Sequence, residues 1–322
     1  MDPAAVSIIV PTQRRPAALA RAAGSVLAQA GLGERPVELV VVDNDTEPSA
    51  QRAVEGLAAG APFPVRYVHE PRPGVAFARN AGLAAASGEL IAFLDDDEEA
   101  PPAWLAALLQ VQADYEADVV FGPVRARAPE AIRRHRAYLE QFFSRLRPSG
   151  AGLIDRYYGC GDSLVRRAAL PDPKAPFSAK RNQTGGEDDL LFGQMKDRGA
   201  RFAWAPDAWV WEDPIPERLT LRYTLMRAFA YGQGPTSHCA AKEPPDLLGV
   251  VGWMAVGLAQ ALAFGGLAAI SWMIGAENRA YPLDRASRGL GKVLWWKPFK
   301  IKFYGLAAHE RSPAGGSPPD AA

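Results

Sequence analysis

Residues 89–99 read Glu-Leu-Ile-Ala-Phe-Leu-Asp-Asp-Asp-Glu-Glu, an apolar run that ends in five consecutive acids. The run 90–94 has the length and apolar character of a buried strand, so Asp95, Asp96 and Asp97 emerge where that strand leaves its sheet. Carboxylates crowded at such a point repel one another unless positive charge sits among them, and a divalent cation supplies it. An isolated acid run is more often only a solvated loop. If the strand continues, side-chain alternation sends Asp95 and Asp97 to one side and Asp96 to the other. Asp97, with Asp95, is therefore the expected metal pair. Mg²⁺ or Mn²⁺ is the expected ion, being hard, oxygen-seeking and accustomed to leaving positions for substrate phosphate. A second acidic group, Glu187-Asp188-Asp189, follows Gly185-Gly186 and opens a helical pattern. Dipole and capping effects favour acids there, but a third adjacent acid exceeds that need. Displacing a diphosphate by a hydroxyl requires a base for the hydroxyl proton, which a nearby carboxylate can be. Asp188 is the expected base and Glu187 the residue that positions the acceptor.

Smaller signals surround these two groups. Asp43 closes the run Val40-Val41-Val42, a place from which an acid can accept hydrogen bonds from a base or ribose. Its structural alternative is to cap the helix beginning near Pro48. Arg79 is a single cation on a small, apolar helical stretch entered at Gly74; it suits a phosphate contact or a cap on the acids, unless it is simply a surface arginine. The segment Gly159-Cys160-Gly161-Asp162-Ser163 resembles a tight loop on the acceptor side. His69, His135, His238 and His309 share no spacing, which argues against a histidine metal site. Neither G-x-x-x-x-G-K-[ST] nor G-x-G-x-x-G occurs, which removes P-loop and dinucleotide-binding readings.

The elements that must position these residues follow a regular alternation over the first hundred positions. Strands are expected at 6–10, 38–42, 65–68 and 90–94, with helices at 16–29, 48–59 and 75–86. Near-continuously apolar strands separated by helices indicate a parallel sheet covered on both faces, and ligands of such sheets bind beyond the strands' carboxyl ends. Thr12, Arg14, Asp43, Asp45 and the acids 95–97 all stand at such ends. Beyond Trp104 the alternation dissolves. Strands are expected at 119–124, 159–165, 201–205 and 209–211, an Arg-rich helix at 130–146, another from 187 to about 198, and an amphipathic segment at 219–231.

Composition narrows the class. A chain of 322 residues with 48% hydrophobic content can build a full core with apolar sequence to spare. Its formal net charge of zero speaks against bulk capture of nucleic acid. Two cysteines, far apart, form neither a zinc site nor a disulfide framework and fit a reducing compartment. The Met-Asp-Pro start enters a strand almost at once, without the layout of a signal peptide, so a cytoplasmic catalytic portion is expected. Residues 247–275 carry no charge. As a helix they would extend about 43 Å, beyond the roughly 30 Å hydrocarbon core, so membrane insertion is expected in preference to a very apolar core helix. Basic residues from Arg279 to Lys302 follow the stretch, while Lys242 is nearly alone before it. One span would place that basic tail outside, against the positive-inside tendency; a re-entrant hairpin bent at Gly265-Gly266 would keep both flanks inside. The aromatic and lysine mixture at 294–304 suits an anionic membrane interface, and 305–322 reads as disordered.

Taken in order, Val-Ser-Ile-Ile-Val-Pro-Thr12, Val-Val-Val-Asp43-Asn44-Asp45, Gly74 with Ala-Arg79-Asn80 and Gly82, Phe-Leu-Asp95-Asp96-Asp97 and Gly186-Glu187-Asp188 resemble the motifs of family 2 glycosyltransferases. The resemblance covers about residues 6–234. Trp209-Val-Trp211-Glu212-Asp213-Pro and Arg227-Ala-Phe-Ala-Tyr-Gly232-Gln look closest to bacterial succinoglycan-type glucosyltransferases. It implies a GT-A fold, a Rossmann-like mixed sheet flanked by helices, and inverting transfer from a nucleotide-sugar, UDP-linked or otherwise, to a lipid-linked glycan. Pro11, Thr12, Arg14, Asp43, Arg79, Asp95 and Asp96 would hold the donor, Asp95 and Asp97 the metal, and Asp188 would be the base. The implied organisation is a donor half (1–100) and an acceptor half (101–245) of one domain, then a membrane-inserted and interfacial segment (246–304) and a tail (305–322). The enzyme would work at the cytoplasmic face of the cell membrane. The chain departs from the family at Glu212, where many relatives carry a His, and at Asp162, where an Asn is common. It also lacks the Gln-x-x-Arg-Trp signature of processive synthases, which favours one sugar per binding event. Two alternatives are a sugar-1-phosphate nucleotidyltransferase, for which the loop after the first strand lacks glycines, and a catalytically degenerate membrane-bound assembly partner.

Overall fold

Side-chain alternation along the first strand sets the layering of the catalytic part. Ile8 and Val10 face one way with Leu39 and Val41 of the next strand, and pack with Leu19, Trp104 and Leu108. Ile9, Val40 and Val42 face the other way and pack with Leu83, Phe93, Phe121 and Phe192. Each such fully buried side chain stabilises the fold by roughly 1.5–3 kcal/mol. The structure, a computed structural model, describes residues 4–147, 150–182 and 185–301.

The described residues separate into two compact units, one within residues 4–124 and 145–212, the other of 125–144 and 213–301. In the first unit the order is β1 (Val6–Thr12), α1 (Pro16–Leu27), β2 (Val37–Asp43), α2 (Gln51–Ala58), β3 (Val65–His69), α3 (Val75–Ala85), β4 (Leu90–Phe93), β5 (Glu98–Glu99), α4 (Trp104–Tyr115) and β6 (Val119–Phe121). The chain leaves through β7 (Val124–Ala126), forms α5 (Arg136–Phe143) in the second unit, and returns as β8 (Gly152–Ile154), β9 (Ser163–Arg166), α6 (Glu187–Asp197), β10 (Phe202–Trp204) and β11 (Val210–Glu212).

The large sheet runs β3-β2-β1-β4-β9-β6-β10-β8. β1, β2, β3 and β4 are parallel, whereas β9 is antiparallel to both β4 and β6, and β8 is antiparallel to β10. The sheet is thus mixed, as the resemblance implies and apolar periodicity alone does not. Period-2 runs look the same whichever way the neighbour points, so strand direction past Trp104 was not encoded in them.

Two expected elements differ. The strand expected at 159–165 begins only at Ser163, because Asp162 takes a left-handed φ of 50°. The helix expected at 130–146 is confined to Arg136–Phe143. His135 before it has a φ of 59°, and a left-handed residue cannot continue a right-handed helix.

The second unit contains α7 (Leu221–Ala240), α8 (Leu247–Met273) and α9 (Ala280–Val293) with α5. α8 has 27 residues and a mean hydropathy of 1.9 in its most apolar window, of which 6% is buried. Among the described residues it is the one helix long and apolar enough to cross a membrane. It continues unbroken through Gly265-Gly266, so the bend expected there is absent. α9 lies along it: Gln260 Nε2 donates to the Arg285 carbonyl at 2.7 Å, and Lys292 Nζ donates to Gln260 Oε1 at 2.9 Å. A Cβ on Gly289 would stand 2.6 Å from the Ala261 nitrogen and 2.7 Å from the Gly257 carbonyl oxygen, so the close helix approach depends on glycine. The segment 302–304 and the tail at 305–322 lie outside the described residues.

Candidate active site

The acid run does not continue as a strand. β4 ends at Phe93, and the Glu98 nitrogen donates to the Asp95 carbonyl at 3.0 Å, closing a turn. The turn changes the grouping expected from alternation. Asp96 and Asp97 share a partner in Arg15, whose Nη1 is 2.9 Å from Asp96 Oδ1 and 3.0 Å from Asp97 Oδ2. Thr12 Oγ1 also donates to Asp96 Oδ2 at 2.8 Å. Asp95 instead faces Arg79, whose Nη2 lies 3.2 Å from its Oδ1. Arg15 had no signal of its own in the sequence. It precedes Pro16 at the start of α1, and it reaches the acids because β1 and β4 are neighbours in the sheet.

Arg79 is the link between the two acidic groups. From α3 it donates through Nη1 to Glu187 Oε1 at 2.7 Å while its Nη2 holds Asp95, and it is 5% exposed. Of its two expected roles, the contacts are those of the cap on the acids. Glu187 begins α6 after Gly186, which adopts a φ of 81°. Burial raises the Glu187 pKa, opposed by Arg79 and assisted by Asp188. The neighbouring Asp188 is half-buried; its Oδ2 accepts from the Cys160 nitrogen at 3.2 Å and its Oδ1 from the Asp189 nitrogen at 2.8 Å. Asp188 thereby sits on the loop 159–162.

That loop is held from behind by Arg145. Its guanidinium donates to the carbonyls of Gly122, Gly159, Gly161 and Asp162. A Cβ on Gly161 would lie 2.7 Å from Asp95 Oδ2 and 2.9 Å from Glu98 Oε1, so a larger residue there would displace the two carboxylates of the acid turn. Asp162 is wholly buried and accepts from the Trp104 indole at 2.7 Å. Burial pushes its carboxyl up to about 7, against the opposing pull of Arg145 and Trp104. Glu98 is also buried and bonds the Asp95 nitrogen through Oε2 at 2.9 Å; burial, then Asp95 and Asp162, hold its pKa well above the usual carboxylate range. Burial raises Asp96 too, against Arg15 and Thr12. Sequence reasoning did not single out Glu98, Trp104 or Arg145, because nothing in a linear run marks an acid as buried or an arginine as facing carbonyls.

The remaining expected residues are placed less simply. Asp43 is fully buried, accepting from the Ala50 nitrogen at 2.7 Å, the Tyr67 hydroxyl at 2.9 Å and the Ser49 hydroxyl at 3.1 Å. These are the contacts of the capping alternative, reached through Ala50 immediately before α2. Arg14, with a φ of 56°, makes a two-pronged pair with Asp45 at 2.8 and 2.9 Å. Pro11 lies within β1 opposite Val42. Glu212 stands opposite Glu98 in the β5–β11 pairing, beside the acid turn.

A metal fits this donor set as a partly protein-bound ion. Among the described residues no three His, Cys, Asp or Glu side chains converge into a complete cage. Mg²⁺ and Mn²⁺ sites that serve phosphate substrates commonly use one or two carboxylates, with phosphate and water completing the shell. Asp95 and Asp97 offer that number from one turn after β4, each with an arginine beside it, Arg79 on Asp95 and Arg15 on Asp97.

Comparison with known proteins agrees with this geometry. Residues 7–172 match the family described as glycosyl transferase family 2. The chain is 39% identical to the succinoglycan biosynthesis protein ExoM of Rhizobium meliloti over 230 residues, covering 71% of this chain and 73% of that protein. The mannosyltransferase PcManGT from Pyrobaculum calidifontis, solved with GDP-Man and Mn²⁺, superposes with a TM-score of 0.58 at 20% identity, covering 91% of this chain and 87% of its own. S. aureus TarS gives a TM-score of 0.50 at 19% identity over 70% of this chain, which spans 39% of the TarS chain. These structures share the mixed GT-A sheet. From the matched motifs and the extent of likeness to ExoM, the chain belongs to glycosyl transferase family 2.

Proposed function

We propose that the protein is an inverting glycosyltransferase that moves a sugar from a UDP-linked nucleotide-sugar to a lipid-linked glycan, in the synthesis of an exopolysaccharide. The observation that carries this reading is the buried Arg79, which bonds Asp95 of the acid turn and Glu187 of α6 together. It brings a donor-side carboxylate group and a candidate base to the same end of the sheet, where open α/β sheets bind ligands. The name of the relative ExoM supports the pathway class.

In this mechanism Asp188 takes the proton of the acceptor hydroxyl as that oxygen bonds to the anomeric carbon. The bond from that carbon to the diphosphate oxygen breaks on the opposite side, and its electron pair leaves with UDP. The Cys160 N–H of the loop 159–162 and the Asp189 N–H of α6 each hold one oxygen of the Asp188 carboxylate, so little reorganisation is needed at the moment of transfer. Glu187, anchored by Arg79, shapes the acceptor side. Pro11, Thr12, Arg14, Asp43 and Asp96 border the donor side at the ends of β1, β2 and β4. A divalent cation held by Asp95 and Asp97 would neutralise charge on the departing diphosphate.

The second unit supplies the attachment to the membrane. The outer side of α8 is open, with Leu248 89% and Leu262 69% exposed, while on its inner side the Lys292 ammonium of α9 donates to Gln260, beside the Arg285 carbonyl. A bilayer-spanning α8 would draw that charge into hydrocarbon at substantial cost. α8 therefore lies with its outer face in one leaflet, a monotopic arrangement that keeps the enzyme on the cytoplasmic face beside a lipid-linked acceptor. Both cysteines are unpaired and buried, in accord with that compartment.

The test is nucleoside diphosphate release from a panel of nucleotide-sugars with lipid-linked acceptors. Asp97→Ala and Asp188→Asn should each lower turnover about 10²–10⁴-fold. Near-normal transfer by either variant removes the role assigned to that residue. UDP bound by the intact protein with Mn²⁺, without turnover on any acceptor, would favour the non-catalytic assembly partner.

A further inference from the structure

At the C-terminal end of α8 the second unit gathers two arginines and a histidine around one indole, the histidine held toward its neutral form by burial and by Arg134 and Arg279. The guanidinium of Arg279 lies 4.7 Å above the Trp272 ring and that of Arg134 5.8 Å from it, with the His135 ring at 6.3 Å. Arg133, Arg134, His135, Leu139, Leu221 and Trp272 line a cavity of about 470 Å³ here. Among the described residues no carboxylate pairs with Arg133, Arg134 or Arg279. His135 Nε2 and Arg279 Nε are buried without a hydrogen-bond partner. Like charges gathered on one ring repel, and buried donors left unmet are costly. Both deficits are met by one ligand, an anion with several acceptor oxygens.

The position identifies the kind of anion. Trp272 is the last aromatic of α8, 40% exposed, and the apolar outer face continues past it through Met273 and Ile274, 78% and 73% exposed. A helix that lies in the interface holds its polar margin at the level of the lipid headgroups, and basic pockets at that level take lipid phosphates.

We propose that this pocket binds the phosphate of an anionic phospholipid headgroup, with Arg133 and Arg134 as charge partners, Arg279 adding positive charge from over the Trp272 ring, His135 Nε2 as a further polar contact and Trp272 packed against the glycerol and upper acyl region. The inference rests on the membrane attachment read above but adds a specific anchoring site to it. A polyprenyl diphosphate in the same membrane carries related phosphate chemistry and is distinguished by the experiment.

The experiment is flotation of the full-length protein with phosphatidylcholine vesicles, alone or containing phosphatidylglycerol, or containing undecaprenyl phosphate in place of phosphatidylglycerol. Phosphatidylglycerol should tighten binding, and Arg133→Gln with Arg134→Gln should remove that gain by about fivefold per arginine, the ~1 kcal/mol a basic residue contributes at an anionic surface. Arg222→Gln with Lys242→Gln, a removal of equal charge from exposed positions of the second unit outside the pocket, should leave most of the gain. Equal loss in both double variants overturns the pocket in favour of diffuse attraction. A gain from undecaprenyl phosphate but none from phosphatidylglycerol overturns the headgroup assignment. Equal binding to neutral and anionic vesicles overturns the pocket while leaving the membrane attachment standing; no binding to any vesicle overturns both.

Discussion

Arg79 shows how much of this site depends on one side chain. It is buried between Asp95 and Glu187, and its planar fork satisfies both at once. Arg79→Ala leaves Glu187 buried beside Asp188 without its counter-charge, which should cost about 3–5 kcal/mol of stability. Urea unfolding of Arg79→Ala, Glu187→Gln and the double variant checks this: the double variant should be more stable than Arg79→Ala alone. A simple sum of the two single losses would show that the pair is not coupled. Asp162 offers a second test. Because burial raises its carboxyl to about 7, the folded chain keeps a proton that the unfolded chain gives up near pH 4. Its contribution to stability is therefore full in acid and declines as pH rises from about 4 to about 7, by up to about 4 kcal/mol. Asp162→Asn keeps an oxygen for the Trp104 indole without the charge, and should flatten that part of the stability–pH curve. An unchanged slope between about pH 4 and about pH 7 would remove Asp162 as its source.

Elements decide which of these residues meet. The turn between β4 and β5 sends Asp95 to Arg79 and Asp96 with Asp97 to Arg15, a partition that a continued strand would not produce. α6 contributes its first turn only, where Gly186 in a left-handed conformation turns the chain so that Glu187 and Asp188 lead the helix. In the second unit the pairing of α8 with α9 rests on contact through glycine. Gly289→Ala places a methyl group within van der Waals distance of α8 backbone atoms, while Gly252, also helical, has open space around it. Gly289→Ala should destabilise by about 1–3 kcal/mol, whereas Gly252→Ala should stabilise by roughly 0.5–1 kcal/mol through helix propensity. Thermal melting in a mild detergent separates the two, and opposite shifts in Tm are the expected result.

For the whole molecule, the alternation of apolar strands and helices over the first hundred residues was legible because period-2 and period-3.6 patterns are local properties of a chain. The acid groups at 95–97 and 187–189, the glycines before α3 and α6, and the charge-free length of α8 were legible for the same reason. The direction of β9, the short α5, the continuity of α8 through Gly265-Gly266 and the burial of Glu98 were not, since each depends on what packs alongside. Arg15, Arg145 and Trp104 became site residues only when the sheet order set β1 beside β4 and the loop 159–162 beside the acid turn. The sequence by itself determined which side chains could do the chemistry and which stretch was apolar enough for a membrane. The tertiary structure alone decided which charges face one another, because a charge acts through distance and burial, and neither is a property of a linear neighbour.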